Sequence, residues 1–319
     1  MSWNKKQLIL VPKQDVSWLA GGAGPACFDP YSLDTSGNID IYLSGRNSEN
    51  KSTIGRFNYN LNTLQLNSID LTPVVTPGER GLFDDSGTSY PHLVKINGIK
   101  HLYYTGWFLG KDTPFLNDPG LAIERNGRFE KYQRCTFLPR IDSDAFGVGS
   151  LQVFPDDDGV YKVYYTSFEK WGRDEKDFKH YYHIKYATSL DGIIWERSNH
   201  VAINFDLSKG EYVTAKPSIV KYKGVYFMWY SYRGNSYRIG VAVSSDSKYW
   251  QRMDHLVDMD VAPEGWDSEM ICYANVAILN NHLYMLYNGN GFGKDGLGLV
   301  SRDLSYLDQI LEEYQKTKP

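Results

Sequence analysis

EYVTAKPSIVKYKGVYFMWYSYRGNSYRIGVAVSSDSKYWQR, residues 211–252, holds three runs of β-branched and aromatic residues separated by short polar turns. Lys216 to Lys221, Val225 to Tyr232 and Arg238 to Ser244 read as half-buried strands, with Tyr-Lys-Gly and Arg-Gly-Asn-Ser between them as hairpin turns. Trp250 opens a fourth, shorter run. The stretch predicts four antiparallel strands in about forty residues, the size of one propeller blade.

The pattern recurs. Ile39 to Gly45, His101 to Trp107, Tyr161 to Ser167, Phe227 to Tyr232 and Leu283 to Gly289 share the aromatic second run, and Tyr42, Tyr103, Tyr164, Trp229 and Leu286 are 61, 61, 65 and 57 residues apart. The third run repeats from Thr53, Gly120, His183, Arg238 and Gly296. This predicts an all-β fold, a five-bladed β-propeller with four-stranded antiparallel blades, occupying residues 1–319 as a single domain. Blade one spans about 24–71, blade two about 85–132, blade three starts near Asp144, blade four is the quoted stretch and blade five begins at Trp266. A lone strand, Gln7 to Val11, is expected to close the last blade. Leu304, Leu307, Ile310, Leu311 and Tyr314 have helical spacing and predict a C-terminal helix over about 304–316.

A net charge of -4 gives no basic footprint, so neither nucleic acid nor a membrane is an expected partner. The 25 Tyr, 8 Trp and 14 Phe belong mostly to sheet faces. Cys27, Cys135 and Cys272 form no close pair and are expected as reduced thiols in a cytoplasmic protein. The N-terminus lacks the pattern of a signal peptide. No P-loop, dinucleotide fingerprint, metal-spaced Cys/His cluster or nucleophile elbow is present, so neither cofactor nor metal is expected.

The turns between first and second strands are short, whereas blades two and three carry long second-to-third connections, including residues 168–183. Residues before strand one and after strand two should therefore converge at one axial mouth, where a ligand would bind. They include Asp84, Asp85, Tyr90, His92, Asp142, Asp144, Gln152, Glu211, Lys216, Ser218, Asp267, Glu269, Tyr273 and Asn275 from the first group. The second group is Arg46, Trp107, Trp171, Arg233, Asn288 and Asn290. Carboxylates beside Arg, Trp, Tyr and Asn suit sugar recognition and acid/base glycosyl chemistry. Asp85 and Glu211 stand six residues before Pro91 and Pro217, and Glu269 five before Ala274. These three are the expected catalytic acids, with Asp144 and Asp267 in reserve. Arg46, Tyr90, His92, Trp107, Asp144, Gln152, Lys216, Arg233, Asp267, Tyr273, Asn288 and Asn290 are the expected substrate contacts. Turn capping is the competing reading for Asp84 to Gly87 and for Trp266 to Glu269.

The repeat, the SLDGIIW and SSDSKYW strand endings, the KPSIV inner strand and the YSYRG and YNGNG loops resemble the five-bladed propeller superfamily of arabinanases, β-xylosidases, invertases and levansucrases, with the related mannoside phosphorylases. The resemblance covers nearly the whole chain and implies a glycan-processing site with Asp, Asp and Glu at the mouth. In that superfamily an Asp typically precedes the Pro of an inner strand. Here the corresponding places read as Gly24, Tyr90 and Lys216, before Pro25, Pro91 and Pro217.

The reading that follows is an enzyme cleaving or transferring a glycosidic linkage of a small or nucleotide-activated sugar, with hydrolysis by inversion as the default. Phosphorolysis and a non-catalytic sugar-binding propeller are the alternatives. A mouth whose carboxylates turn outward into turns would favour the binder.

Overall fold

The computed structural model describes residue 3, residues 7–173 and residues 178–317; residues 174–177 of the long 168–183 connection lie outside the described residues. β1 (Gln7–Leu10) precedes five antiparallel units. The first is β2 (Gly22–Asp29), β3 (Asn38–Arg46), β4 (Ser52–Asn60) and β5 (Gln65–Ile69); the second is β6 (Gly87–Ile96), β7 (Ile99–Phe108), β8 (Leu116–Arg125) and β9 (Arg128–Lys131). The third is β10 (Val148–Pro155), β11 (Tyr161–Arg173), β12 (Phe178–Ser189) and β13 (Glu196–Ile203). The fourth is β14 (Val213–Tyr222), β15 (Val225–Arg233), β16 (Tyr237–Ser244) and the short β17 (Gln251–Arg252). The last has β18 (Cys272–Leu279), β19 (His282–Asn288) and β20 (Leu297–Asp303), and β1 pairs antiparallel with β20 as its outer strand.

The first and second strands are buried on both faces over most of their length, and small residues open room for the large ones. Tyr104, Tyr230 and Tyr287 stand directly opposite Gly120, Gly240 and Gly298 on the third strands. A Cβ at Gly120 would fall 2.2 Å from the Tyr104 ring, so only glycine leaves the slot that the ring fills. α1 (Ser305–Lys316) buries Tyr306, Leu307, Ile310 and Tyr314 against Trp229, Val241, Met285 and Val300.

The first strands set the geometry of the centre. β2, β6, β10, β14 and β18 touch one another in chain order, and β18 returns to β2. Cys27, His92, Gln152, Ser218 and Asn275 occupy one equivalent position, each paired across its hairpin with Tyr42, Tyr103, Tyr164, Trp229 or Leu286. Each also bonds the next unit. The Leu93 N–H donates to the Cys27 sulfur, and His92 Nε2 donates to the Val153 carbonyl at 2.8 Å. Gln152 receives the Ile219 N–H at 2.6 Å and donates to its carbonyl at 3.2 Å. Ser218 Oγ accepts from Val276 N at 2.8 Å, and Asn275 Oδ1 accepts from Phe28 N at 3.0 Å. The cycle of polar ties runs once around the centre, although among the described residues no backbone sheet closes on itself.

Candidate functional site

Two residues upstream of that ring the first strands bulge. Pairing skips between Ser89 and His92, between Ala215 and Ser218 and between Cys272 and Asn275. Tyr90, Lys216 and Tyr273 fall at the skipped position with φ of 51°, 53° and 61°, a left-handed backbone that costs a non-glycine residue about 1 kcal/mol or more. Hydrogen bonds from the preceding unit hold them there: Tyr90 N donates to Ser44 Oγ at 2.8 Å, Lys216 N to Ser150 Oγ at 3.2 Å and Tyr273 N to Ser231 Oγ at 2.8 Å. Counting back from Cys27 and Gln152, the equivalent residues of the other units are Pro25 and Ser150. Pro25, not Gly24, is thus the partner of Tyr90 and Lys216. None of the five central positions carries a carboxylate.

Aromatic side chains gather above this level. The Tyr90 and Tyr273 rings meet edge to face at 5.1 Å, Tyr237 lies 5.9 Å from Tyr273, and Phe292 packs on both Tyr237 and Tyr273. The Tyr182 and Tyr237 hydroxyls hydrogen-bond each other. Arg233 lies over Tyr237 at 5.2 Å and over Tyr212 at 5.6 Å. Arg46, exposed at the end of β3, lies 5.8 Å over Trp107 and donates to the Asn50 carbonyl and side chain. Its charge also reaches Tyr90, where burial nevertheless pushes the phenol up to about 12.

Lys216 is the charged residue of the centre, and it is 2% exposed. Its ammonium has no hydrogen-bond or ion-pair partner among the described residues. Its charge is felt by Cys27 and His92, which belong to the first strands of units one and two. Burial pulls its pKa down to about 8. His92 gives no charge in return: burial lowers its imidazole to about 3, so the ring is neutral.

The expected catalytic acids lie elsewhere. Asp85 caps its own turn, accepting from Gly81 N at 2.9 Å and Ser86 Oγ at 2.8 Å. Glu211 is buried in a two-pronged pair with Arg252 at 2.7 and 2.9 Å and also accepts from Asp206 N. Glu269 is exposed, and its carboxylate has no partner among the described residues. The acids that recur in strict register are Asp84, Asp144 and Asp267, each six residues before the bulge position. Each takes a hydroxyl from the equivalent tyrosine, Tyr104 at 3.0 Å, Tyr165 at 3.2 Å and Tyr287 at 3.0 Å. Lys131 completes the first at 2.6 Å; Lys185 and Arg197 complete the second at 3.1 and 3.0 Å. This second recurrence, distinct from that of Asp85, Glu211 and Glu269, is a clamp that ties the loop entering units two, three and five to the second strand of the same unit. Sequence spacing suggested Asp85 because it stands beside the clamping Asp84.

Other expected contacts are similarly engaged. Asn288 Nδ2 donates to the Ala23 and Gly296 carbonyls, Asn290 braces Glu269 N and Gly265, and Trp107 Nε1 donates to Ser52 Oγ. His92 and Gln152 are spent on the first-strand ring. Arg46, Tyr90, Lys216, Arg233 and Tyr273 remain as the residues brought together, joined by Tyr182, Tyr237 and Phe292. Tyr182 and Tyr237 were missed because third-strand residues were not counted among mouth positions, and Phe292 because only the polar residues of its loop were; the tyrosine opening β16 was the available signal. Trp171 stacks on Phe168 and meets Phe115 instead. Among the described residues no group of three or more His, Cys, Asp or Glu side chains is placed to hold a metal ion, and no helix is long and apolar enough to cross a membrane.

No model of a known protein family matches the sequence. Two Mycobacterium tuberculosis proteins named only as uncharacterized, MT1551 and Rv1502, are each 34% identical over 303 residues, covering 94% of this chain and 99% of theirs. The chain belongs to the family of these two proteins. Among solved structures it resembles one described as a glycoside hydrolase, with a TM-score of 0.72, 16% identity and coverage of 94% and 92% of the two chains. A structure from work on GH130 mannoside phosphorylases and glycoside hydrolases targeting β-1,2 mannosidic linkages in Candida mannan gives 0.70, 14%, 94% and 92%. A thermostable family-43 glycoside hydrolase gives 0.61, 14%, 88% and 88%. At these identities the likeness is one of fold.

Proposed function

We propose that this chain is a carbohydrate-active enzyme built as one five-bladed propeller over residues 1–319, acting on a glycosidic linkage of a small or nucleotide-activated sugar at the centre of the first-strand ring. The observation that carries this reading is the gathering of Arg233 and four tyrosines beside the bulge position that Lys216 shares with Tyr90 and Tyr273, with the charge of Arg46 reaching Tyr90. Flat aromatic faces stack on sugar rings, and cations with phenol hydroxyls take their oxygens. The fold held in common with proteins described as glycoside hydrolases and mannoside phosphorylases supports it. Three unpaired cysteines suit a cytoplasmic setting.

Acid/base chemistry in this reading falls to the loop carboxylates Asp85 and Glu269, because the five central positions supply none and Glu211 is held by Arg252. A second reading, saccharide binding without cleavage, is favoured by the turn bonds that occupy both Asp85 oxygens. Incubation with oligosaccharides and activated sugars, with and without phosphate, separates them. The enzyme reading expects turnover that falls more than tenfold in both Asp85→Asn and Glu269→Gln. Thermal stabilisation by a saccharide without turnover leaves the binder.

A further inference from the structure

Among the described residues three lysines are deeply buried, and two of them have evident partners. Lys162 pairs with Asp156, and Lys185 with Asp144. Lys216 is the most buried of the three and has no partner among the described residues. An ammonium taken out of water without an anion costs several kcal/mol. The surrounding chain nonetheless holds it in place through a left-handed backbone and a hydrogen bond from its N–H to Ser150. The titratable groups that feel its charge are a thiol and a neutral imidazole, and among the described residues no anion pairs with it.

The groups gathered around the bulge positions continue the bias. Arg46 and Arg233 are cations, and Tyr90, Tyr182, Tyr237 and Tyr273 carry hydroxyls that can donate. The acids flanking the first strands already have partners: Asp84 Oδ2 bonds Lys131, Asp144 bonds Lys185, Glu211 bonds Arg252 and Asp267 bonds Tyr287, while Asp84 Oδ1 is buried without a hydrogen-bond partner among the described residues. A centre rich in donors, with one buried ammonium left uncompensated, is complementary to an oxyanion. A neutral sugar would leave the Lys216 charge unanswered.

We infer that Lys216 receives the anionic substituent of the saccharide, so that the ligand class of this site is a negatively charged sugar bearing a carboxylate or a phosphate. The inference rests on the saccharide reading of the site and adds the charge of its ligand. A compact ammonium on a flexible stem serves either oxyanion.

The test compares wild type with Lys216→Met and Lys216→Arg by calorimetric titration, after circular dichroism has verified folding of each variant. The probes are matched sets of hexose, hexuronic acid and hexose 1-phosphate, together with inorganic phosphate and acetate alone. The expected result is binding of a hexuronic acid or a hexose 1-phosphate at least tenfold tighter than of the parent hexose. That preference should vanish in Lys216→Met and persist at least in part in Lys216→Arg. Equal affinity for charged and neutral sugars, or an unchanged preference in Lys216→Met, overturns the assignment while the saccharide reading stands. Inorganic phosphate binding as tightly as the hexose phosphate overturns it in favour of a free-anion site. Failure of every sugar to bind removes both readings.

Discussion

Lys216 concentrates two costs in one residue, a left-handed backbone and a desolvated charge, and the second can be measured. Burial lowers its pKa from 10.5 to about 8, toward the neutral Cys27 and His92. At pH 7 the amine is protonated in both folded and unfolded chains, so the folded state carries the full penalty, about 3 kcal/mol at 1.36 kcal/mol per pH unit. Between pH 8 and 10.5 the unfolded chain binds more protons than the folded one, and this contribution to stability rises with pH. Lys216→Met should therefore be more stable than wild type at pH 7, by up to about 3 kcal/mol, with the gap closing by pH 10. Urea unfolding at the two pH values reads this directly, and a variant less stable at pH 7 contradicts it. A substitution that stabilises the fold while weakening ligand binding is the pattern expected of a residue kept for function.

The clamp is the device that places β6, β10 and β18, and Asp144 is its most connected example. Burial by itself would raise the Asp144 pKa, but the Ser167 hydroxyl at 2.6 Å, Lys185 and Arg197 outweigh it and hold the carboxyl below its ordinary value. Its contribution is thus present above the pKa of the unfolded carboxyl and is lost as pH falls through the lower folded value. Asp144→Ala would strand Lys185 and Arg197 without their anion and should cost about 3 to 5 kcal/mol at pH 7, read from denaturant midpoints. Glu211→Gln keeps the Arg252 contact in neutral form and should cost less, about 1 to 3 kcal/mol, again by denaturant unfolding. A loss of turnover in Glu211→Gln larger than its stability deficit explains would restore Glu211 to the chemistry. These acids were visible in the sequence as a recurrence but not as a clamp. Their partners, Lys131, Lys185, Arg197 and Arg252, lie 41 to 53 residues away on third and outer strands.

At the scale of the whole chain, the repeat was legible because each second strand needs the same large apolar or aromatic residue at one buried position, which leaves a countable period. The central residues were less legible. The Pro that follows Tyr90 and Lys216 made Pro25 look like their successor, yet the pairing of Cys27 with Tyr42 places Pro25 level with them. All three strands carry the same bulge, so the proline itself stands one position earlier in β2, which only the cross-strand pairing reveals. The ends of the chain were readable because an apolar run without a local partner must find one. β1 meets β20 through Gln7, Leu8 and Leu10; it buries Ile9 and Leu10, while Trp3 donates its indole N–H to Val257 at 2.8 Å. If the first-strand cycle makes the molecule one cooperative body, removing residues 1–11 should harm more than the last unit. Burial of Trp3, Ile9 and Leu10 stabilises by about 1.5 to 3 kcal/mol each, and the exposed β20 edge would invite association. The truncated protein should unfold in a single transition at a lower temperature, with increased light scattering. Amide exchange should accelerate in β6 and β10 as well as in β18 to β20, because the tie from Asn275 to Phe28 joins the two ends of the cycle. Acceleration confined to β18 to β20 would mean that the units open independently and that the centre can tolerate a gap.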